Sequence, residues 1–234
     1  MALNAHFWER AIRRDFAPQL RGVTDVLSRR LIPAFDSIDD EADGVAEAAW
    51  EDFMSSAGGE DDDPGDFAEA ATDAGVSHYI LLNGLRQGMM NLFAAALFHA
   101  FEQQVMFFLR RELLAPSEER DHALLTWRTF SSRLSQWGID YKSLPSWPTV
   151  HEAELVANTV KHGDGRSAND LFALRPVLFR HPDTPEFPLG PDKPRVDRPL
   201  LGEDLYVMIE DVDRYRDAMI GFWTDLVEVM SRIP

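Results

Sequence analysis

An all-α bundle is the fold class this sequence predicts, on three observations. Apolar residues recur at helical three-four spacing in nearly every segment. No alternating run is strong enough to build a sheet. Seven prolines between residues 176 and 200 break one stretch too often for regular structure. The expected architecture is a helical bundle carrying a proline-rich extended arm, with at most one short strand near Leu205 to Val207.

In order along the chain, Phe7, Ile12, Phe16, Leu20, Val23, Leu27 and Leu31 set a helical period over about Asn4 to Ser37, which Pro18 and Pro33 should kink. An acidic helix follows from about Asp40 to Ser55, bringing Val45, Ala49, Trp50 and Phe53 to one side. Residues 55–66 read as an acidic loop. From Phe67 to Leu114 the pattern is helical, with breaks expected at Gly75, Gly84 and Gly88 and a firm part from about Val76. The middle of this helix is apolar on nearly every face, as a central helix requires. A further amphipathic helix is expected over about Glu118 to Trp137. Thr149-Val-His-Glu152 reads as a capping box that starts the next helix near Val150, and Gly163 stops it. Ser167 to Asp170 opens a short helix that Pro176 ends. The last helix, from about Ile209, carries Val212, Tyr215, Met219, Phe222, Leu226 and Val229 in three-four alternation.

The expected division is residues 1–66, helices and an acidic loop, packed on a bundle of residues 67–234 that includes the arm at 176–200, all as one structural unit. A chain of 234 residues that is 45% apolar, with 15 Phe and 6 Trp, is large enough for a substantial core. Cysteine is absent, which removes disulfides, thiolate metal sites and a Cys nucleophile. The amino terminus bears charge where a signal peptide needs its apolar run, and the most apolar stretch, Met89 to Ala100, is about half the roughly 20 residues of a membrane span. A cytoplasmic protein with no membrane span is expected. The net charge of -17 is local: 15 acidic residues and no Lys or Arg lie between Asp36 and Asp73, which leaves 25 acidic residues against 23 basic ones elsewhere. An anionic ligand is therefore compatible with the rest of the chain.

The segment Glu154-Leu-Val-Ala-Asn158-Thr-Val-Lys161-His162-Gly163-Asp164-Gly165 gathers the chemistry. Glu154, Asn158 and His162 fall within roughly 80° of one another on a helix, and His151 joins them. His99 and Glu102 lie one turn apart on the apolar central helix, so they need polar partners, and the His151-to-His162 stripe is the candidate. Such a stripe is either a solvated face or a site wall, and a hydrogen-bonded network between the two helices would fix register as well as form a pocket.

The Asn158-x-x-x-His162 element near a helix end, in an all-helical chain, resembles the HEPN superfamily. Members carry Arg and His separated by four to six intervening residues, often with Asn directly after the Arg, and they dimerise and cut RNA without a metal. Many serve in toxin-antitoxin and phage-defence systems. The resemblance rests on about 15 residues. Here Ala157-Asn158 stands where active members have Arg-Asn, so the residue that would hold the scissile phosphate is missing, and Lys161 or Arg166 is the substitute cation. The chain also resembles uncharacterised bacterial proteins with a Lys-His-Gly-Asp-Gly helix end.

The resemblance implies a HEPN-like binding or regulatory subunit in RNA-related or phage-defence function, dimeric, with RNA as a partner. The alternative is a metal-independent endoribonuclease in which His162 is general acid or base, Asn158 and Lys161 position the phosphate, Glu154 assists, and His99, Glu102, His151, Asp164 and Arg166 support the pocket. A second alternative is a metal-binding helical-bundle enzyme using His99, Glu102, His151, Glu154, His162 and Asp164, although the paired Glu-x-x-His segments of di-iron bundles are missing. No cofactor is expected, since Gly163-Asp-Gly165 is too short for a phosphate loop. The acidic 36–73 stretch and the 176–200 arm are candidate surfaces for a protein partner.

Overall fold

The computed structural model describes residues 3–56, 59, 63–182 and 204–233. They form an all-α helical bundle, with no strand among the described residues. The eight α-helices are α1 (Ala5–Ala11), α2 (Ala17–Val26), α3 (Ile38–Ser56), α4 (Pro64–Phe108), α5 (Trp127–Ser135), α6 (Trp147–His162), α7 (Arg166–Leu174) and α8 (Ile209–Ser231).

Helix α4 is the axis of the molecule, and α2, α3, α6 and α8 all pack on it. Its side chains Leu97, Phe101, Val105 and Phe108 are fully buried, against the stripe Val212, Tyr215, Met219, Phe222 and Leu226 of α8. Burial of each such side chain contributes about 1.5–3 kcal/mol, so this contact is a substantial part of the stability of the bundle. Aromatic rings fill its centre: Trp223 lies 5.6 Å from Phe108 and 5.0 Å from Phe16, and Trp8 lies 4.6 Å from Phe108. One polar side chain is admitted there, and it is fully used. Gln104 accepts from Trp223 Nε1 at 2.9 Å and donates to the Phe16 carbonyl at 3.1 Å and to Gln19 at 2.9 Å.

Together with the π-helical turn that ends it, the stretch Pro64–Leu113 is long and apolar enough to cross a membrane by length and composition. Its place at the centre of the bundle accounts for that apolarity, because it meets other helices on several sides.

The breaks expected at Gly75, Gly84 and Gly88 do not occur, and α4 is continuous from Pro64. Gly75 is there for close approach. A Cβ on it would lie 2.9 Å from the Ala42 carbonyl oxygen and 2.9 Å from the Ala46 Cβ, so glycine lets α3 pack backbone to backbone. Pro18 and Pro33 fall where the first segment changes its turn: a π-helical turn over Ile12–Phe16 precedes Pro18 near the start of α2, and Pro33 opens a 3-10 turn over Ile32–Phe35. The helix expected over 118–137 is reduced to α5, because Thr126 leaves helical geometry and caps it by accepting from Thr129 N at 3.1 Å. Residues 205–207 form no strand: Tyr206 N donates to the Leu178 carbonyl at 2.7 Å, and a side chain serves the residues on either side. Asn91 of α4 donates to the Leu205 carbonyl at 2.8 Å and accepts from Val207 N at 3.3 Å, which satisfies the backbone without a strand.

Of the acidic loop, residues 57, 58 and 60–62 lie outside the described residues, as does the extended arm from residue 183 onward. The 176–179 part of the arm is a 3-10 turn.

Candidate functional site

Helix α6 begins at Trp147, with Pro148 in its first turn where no backbone N–H is needed. Ser146, just before it, gives its backbone N–H and hydroxyl to Asp225 of α8 at 3.1 and 2.7 Å. The inner face is Val150, Ala153, Leu155, Val156, Ala157 and Thr159, all buried. Gly163 ends the helix with φ 70°, a conformation that favours glycine, and its N–H reaches the Thr159 carbonyl at 2.8 Å.

The capping box expected at Thr149 and Glu152 is not formed, since the helix starts earlier and Glu152 turns inward. There it is the hub of a network that links α6, the end of α7 and α8. Glu152 accepts from Arg214 at 2.6 and 3.2 Å and from the Tyr215 hydroxyl at 2.8 Å, and Arg175 lies 3.3 Å away. Asp211 accepts from Arg175 at 3.0 Å and from Arg214 at 3.2 Å. Burial, then the Glu152 charge, raises the Tyr215 pKa, so its hydroxyl stays a donor. Sequence reasoning missed this cluster. Its only trace was Asp211 and Arg214 flanking Tyr215 on an otherwise apolar stripe, a pattern that does not say which helix answers it.

The stripe His151, Glu154, Asn158 and His162 is a ridge on the outer face of α6. At its C-terminal end Lys161 and His162 are exposed, Asn158 is half-buried, and none of the three side chains has a hydrogen bond or ion pair with another described residue. Asp164 and Arg166 are exposed in the turn that follows, where Arg166 lies 3.6 Å from Asp170. Ala157, one residue before Asn158, is 9% exposed.

His99 and Glu102 of α4 connect to the opposite end of the stripe. His99 Nδ1 lies 3.6 Å from Glu102 Oε2, and Glu102 Oε1 accepts from Trp127 Nε1 at 2.9 Å. The Trp127 ring lies 5.9 Å from Trp147, which stacks at 5.9 Å on His151, and His151 Nδ1 is 2.9 Å from Glu154 Oε2. Two aromatic rings thus join two His–Glu pairs, while the side chains of Asn158 and His162 share no hydrogen bond or ion pair with His99 or Glu102.

Beside the second pair lies a groove of about 790 Å³ lined by Trp127, Tyr141, Trp147, His151, Glu154 and residues of α5. Tyr141 is buried in its wall. That burial, reinforced by the charges of Glu154 and Asp140, pushes the Tyr141 pKa up to about 12, so the phenol keeps its proton throughout the ordinary pH range.

Among the described residues, no three His, Asp or Glu side chains gather closely enough to hold a metal ion. Comparison with models of protein families, with curated proteins and with solved structures finds no match in any of the three.

Proposed function

We propose that this is a HEPN-like helical protein of the cytoplasm that serves as a binding or regulatory subunit for RNA, in RNA-related or phage-defence function. The observation that carries this reading is the division within the motif helix. Lys161 and His162 at its end, with Arg166 at the start of α7, are in solvent, where they can meet phosphate, whereas residue 157 is a buried alanine in place of a phosphate-holding arginine. A surface of this kind binds an anionic chain through point charges and hydrogen bonds. It has no guanidinium at position 157 itself, on the motif helix, to steady a pentacovalent phosphorane. The metal-independent endoribonuclease using His162 is the second reading, with Lys161 or Arg166 as its cation.

Filter binding of a mixed RNA pool to the purified protein tests the first reading. Retention that weakens at least tenfold on charge reversal, Lys161→Glu with Arg166→Glu, and that falls with added salt is expected. RNA that is not retained, or is retained equally by the double variant, contradicts it.

The subunit is proposed to act as a homodimer through α4. Leu81, Leu85 and Leu92 are 54%, 40% and 61% exposed and share one face of that helix. Between Asp73 and Glu102 the only formally charged residue is Arg86. Two copies with a net charge of -17 repel each other least where such a face meets its own copy. The exposed carboxylates of α3 offer a separate surface for a basic protein partner.

A further inference from the structure

We infer that the groove at the N-terminal end of α6 binds a small phosphorylated ligand with a planar ring, of the nucleoside monophosphate class. This site shares no residue with the Lys161–Arg166 end of the ridge and stands independently of the RNA-binding reading.

The groove, at about 790 Å³, falls in the size range of small-molecule sites. Its aromatic wall is rigid, because Trp127, Tyr141 and Trp147 brace one another: Tyr141 lies 4.7 Å from Trp147 and 5.8 Å from Trp127. Tyr141 and Trp147 are buried behind it, so the ring surface open to the groove is that of half-buried Trp127, which can stack a heterocyclic ring without demanding a particular base. The rim supplies cations. Arg128 and Lys142 line the groove, are exposed, and pair with no carboxylate among the described residues, and the guanidinium fork of Arg128 suits a phosphate.

The hydroxyl of Tyr141 is the most specific pointer to a ligand. The residue is only 5% exposed, yet its hydroxyl has no hydrogen-bond partner among the described residues. The one fully buried side-chain polar atom without a partner is Arg110 Nε, so the Tyr141 hydroxyl must keep contact with the groove it lines. It is a fixed donor awaiting an acceptor. Ser131 and Ser132 on α5 add hydroxyls that are likewise unbonded among the described residues.

Glu154 decides between a bare anion and a nucleotide. Its Oε2 is held by His151, whereas its Oε1 has no partner among the described residues. A ligand that was only an aromatic anion would be repelled by this carboxylate. One with ribose hydroxyls or base N–H groups at the end away from its phosphate finds an acceptor there.

Tryptophan fluorescence of the full chain, titrated with AMP, GMP, CMP and UMP in turn, tests the inference, since Trp127 and Trp147 line the groove. At least one nucleotide should bind saturably in the micromolar to low millimolar range. Tyr141→Phe should weaken that binding about fivefold and Arg128→Ala about tenfold, with unchanged far-UV circular dichroism verifying the fold of each variant. The free nucleoside and inorganic phosphate should each compete more weakly than the nucleotide. Nucleotide binding that survives Lys161→Glu with Arg166→Glu, when RNA retention does not, separates this site from the other. Absence of saturable binding up to about 10 mM, or binding indifferent to both groove variants, overturns the inference. So does binding of RNA oligomers alone.

Discussion

At the scale of single residues, burial decides what each polar group can do. Glu152 is almost entirely enclosed and neutralises two guanidiniums that are themselves only partly exposed. Glu152→Gln removes the charge but keeps most of the volume, which leaves Arg175 and Arg214 facing each other with Asp211 alone between them. A loss of about 3 kcal/mol is expected, read as a lowered midpoint in urea denaturation. A midpoint equal to the wild type would show that the network is not a structural tie. Tyr141 gives a pH signature. Its folded pKa, about 12, lies above the ordinary 10.0, so the folded state holds the proton more tightly. The stabilisation is intact below about pH 10 and is lost as pH rises from there through about 12. The late component of a phenolate absorbance titration should shrink in Tyr141→Phe, and a wild-type chain whose tyrosines all ionise near 10 would contradict this.

Position 157 links the residue scale to function. Placing an arginine beside Asn158, Ala157→Arg, forces a long charged side chain into a position that is 9% exposed. The expected result is destabilisation of about 2 kcal/mol or more in chemical denaturation, with no gain of RNA cleavage. A stable variant that acquires cleavage would mean that the helix can present residue 157 to solvent.

Among the elements, those with a strong period were legible in the sequence. The apolar stripe of α8 and the all-round apolar middle of α4 are direct consequences of where those helices lie, so their spacing alone placed them. What could not be read was whatever depended on a partner helix. Gly75 looks like a helix breaker until α3 is laid across it, and Glu152 looks like a cap until Arg214 and Tyr215 arrive from 62 and 63 residues away. The Asn91 clamp on residues 205–207 is equally invisible, because a buried asparagine carries no record of which backbone it serves. In the candidate site, the spacing that put His151, Glu154, Asn158 and His162 on one stripe was legible. The joining of His99 and Glu102 to its His151 end, through Trp127 and Trp147, was not. Gly75→Ala provides a check on the packing account. Alanine improves intrinsic helix propensity by about 1 kcal/mol, yet its Cβ meets the α3 backbone, so a net loss of about 1–2 kcal/mol in denaturation is expected. A gain in stability would show that α3 and α4 are not in close backbone contact.

For the molecule as a whole, the charge and the exposed apolar face of α4 act together. The acidic excess sits on and beside α3, so the end of α6 and the start of α7 can present Lys161 and Arg166 as cations on an acidic protein. If α4 forms the dimer contact, Leu85→Glu with Leu92→Glu should shift the mass measured by light scattering from two chains to one. An unchanged mass would place the contact elsewhere. The central claim is that the α6 ridge binds RNA without cutting it, and its most direct test is a cleavage assay on tRNA and mRNA in EDTA, with His162→Ala alongside. Intact RNA with both proteins is the predicted result, and EDTA-resistant cleavage that disappears in His162→Ala would contradict the account and establish the endoribonuclease.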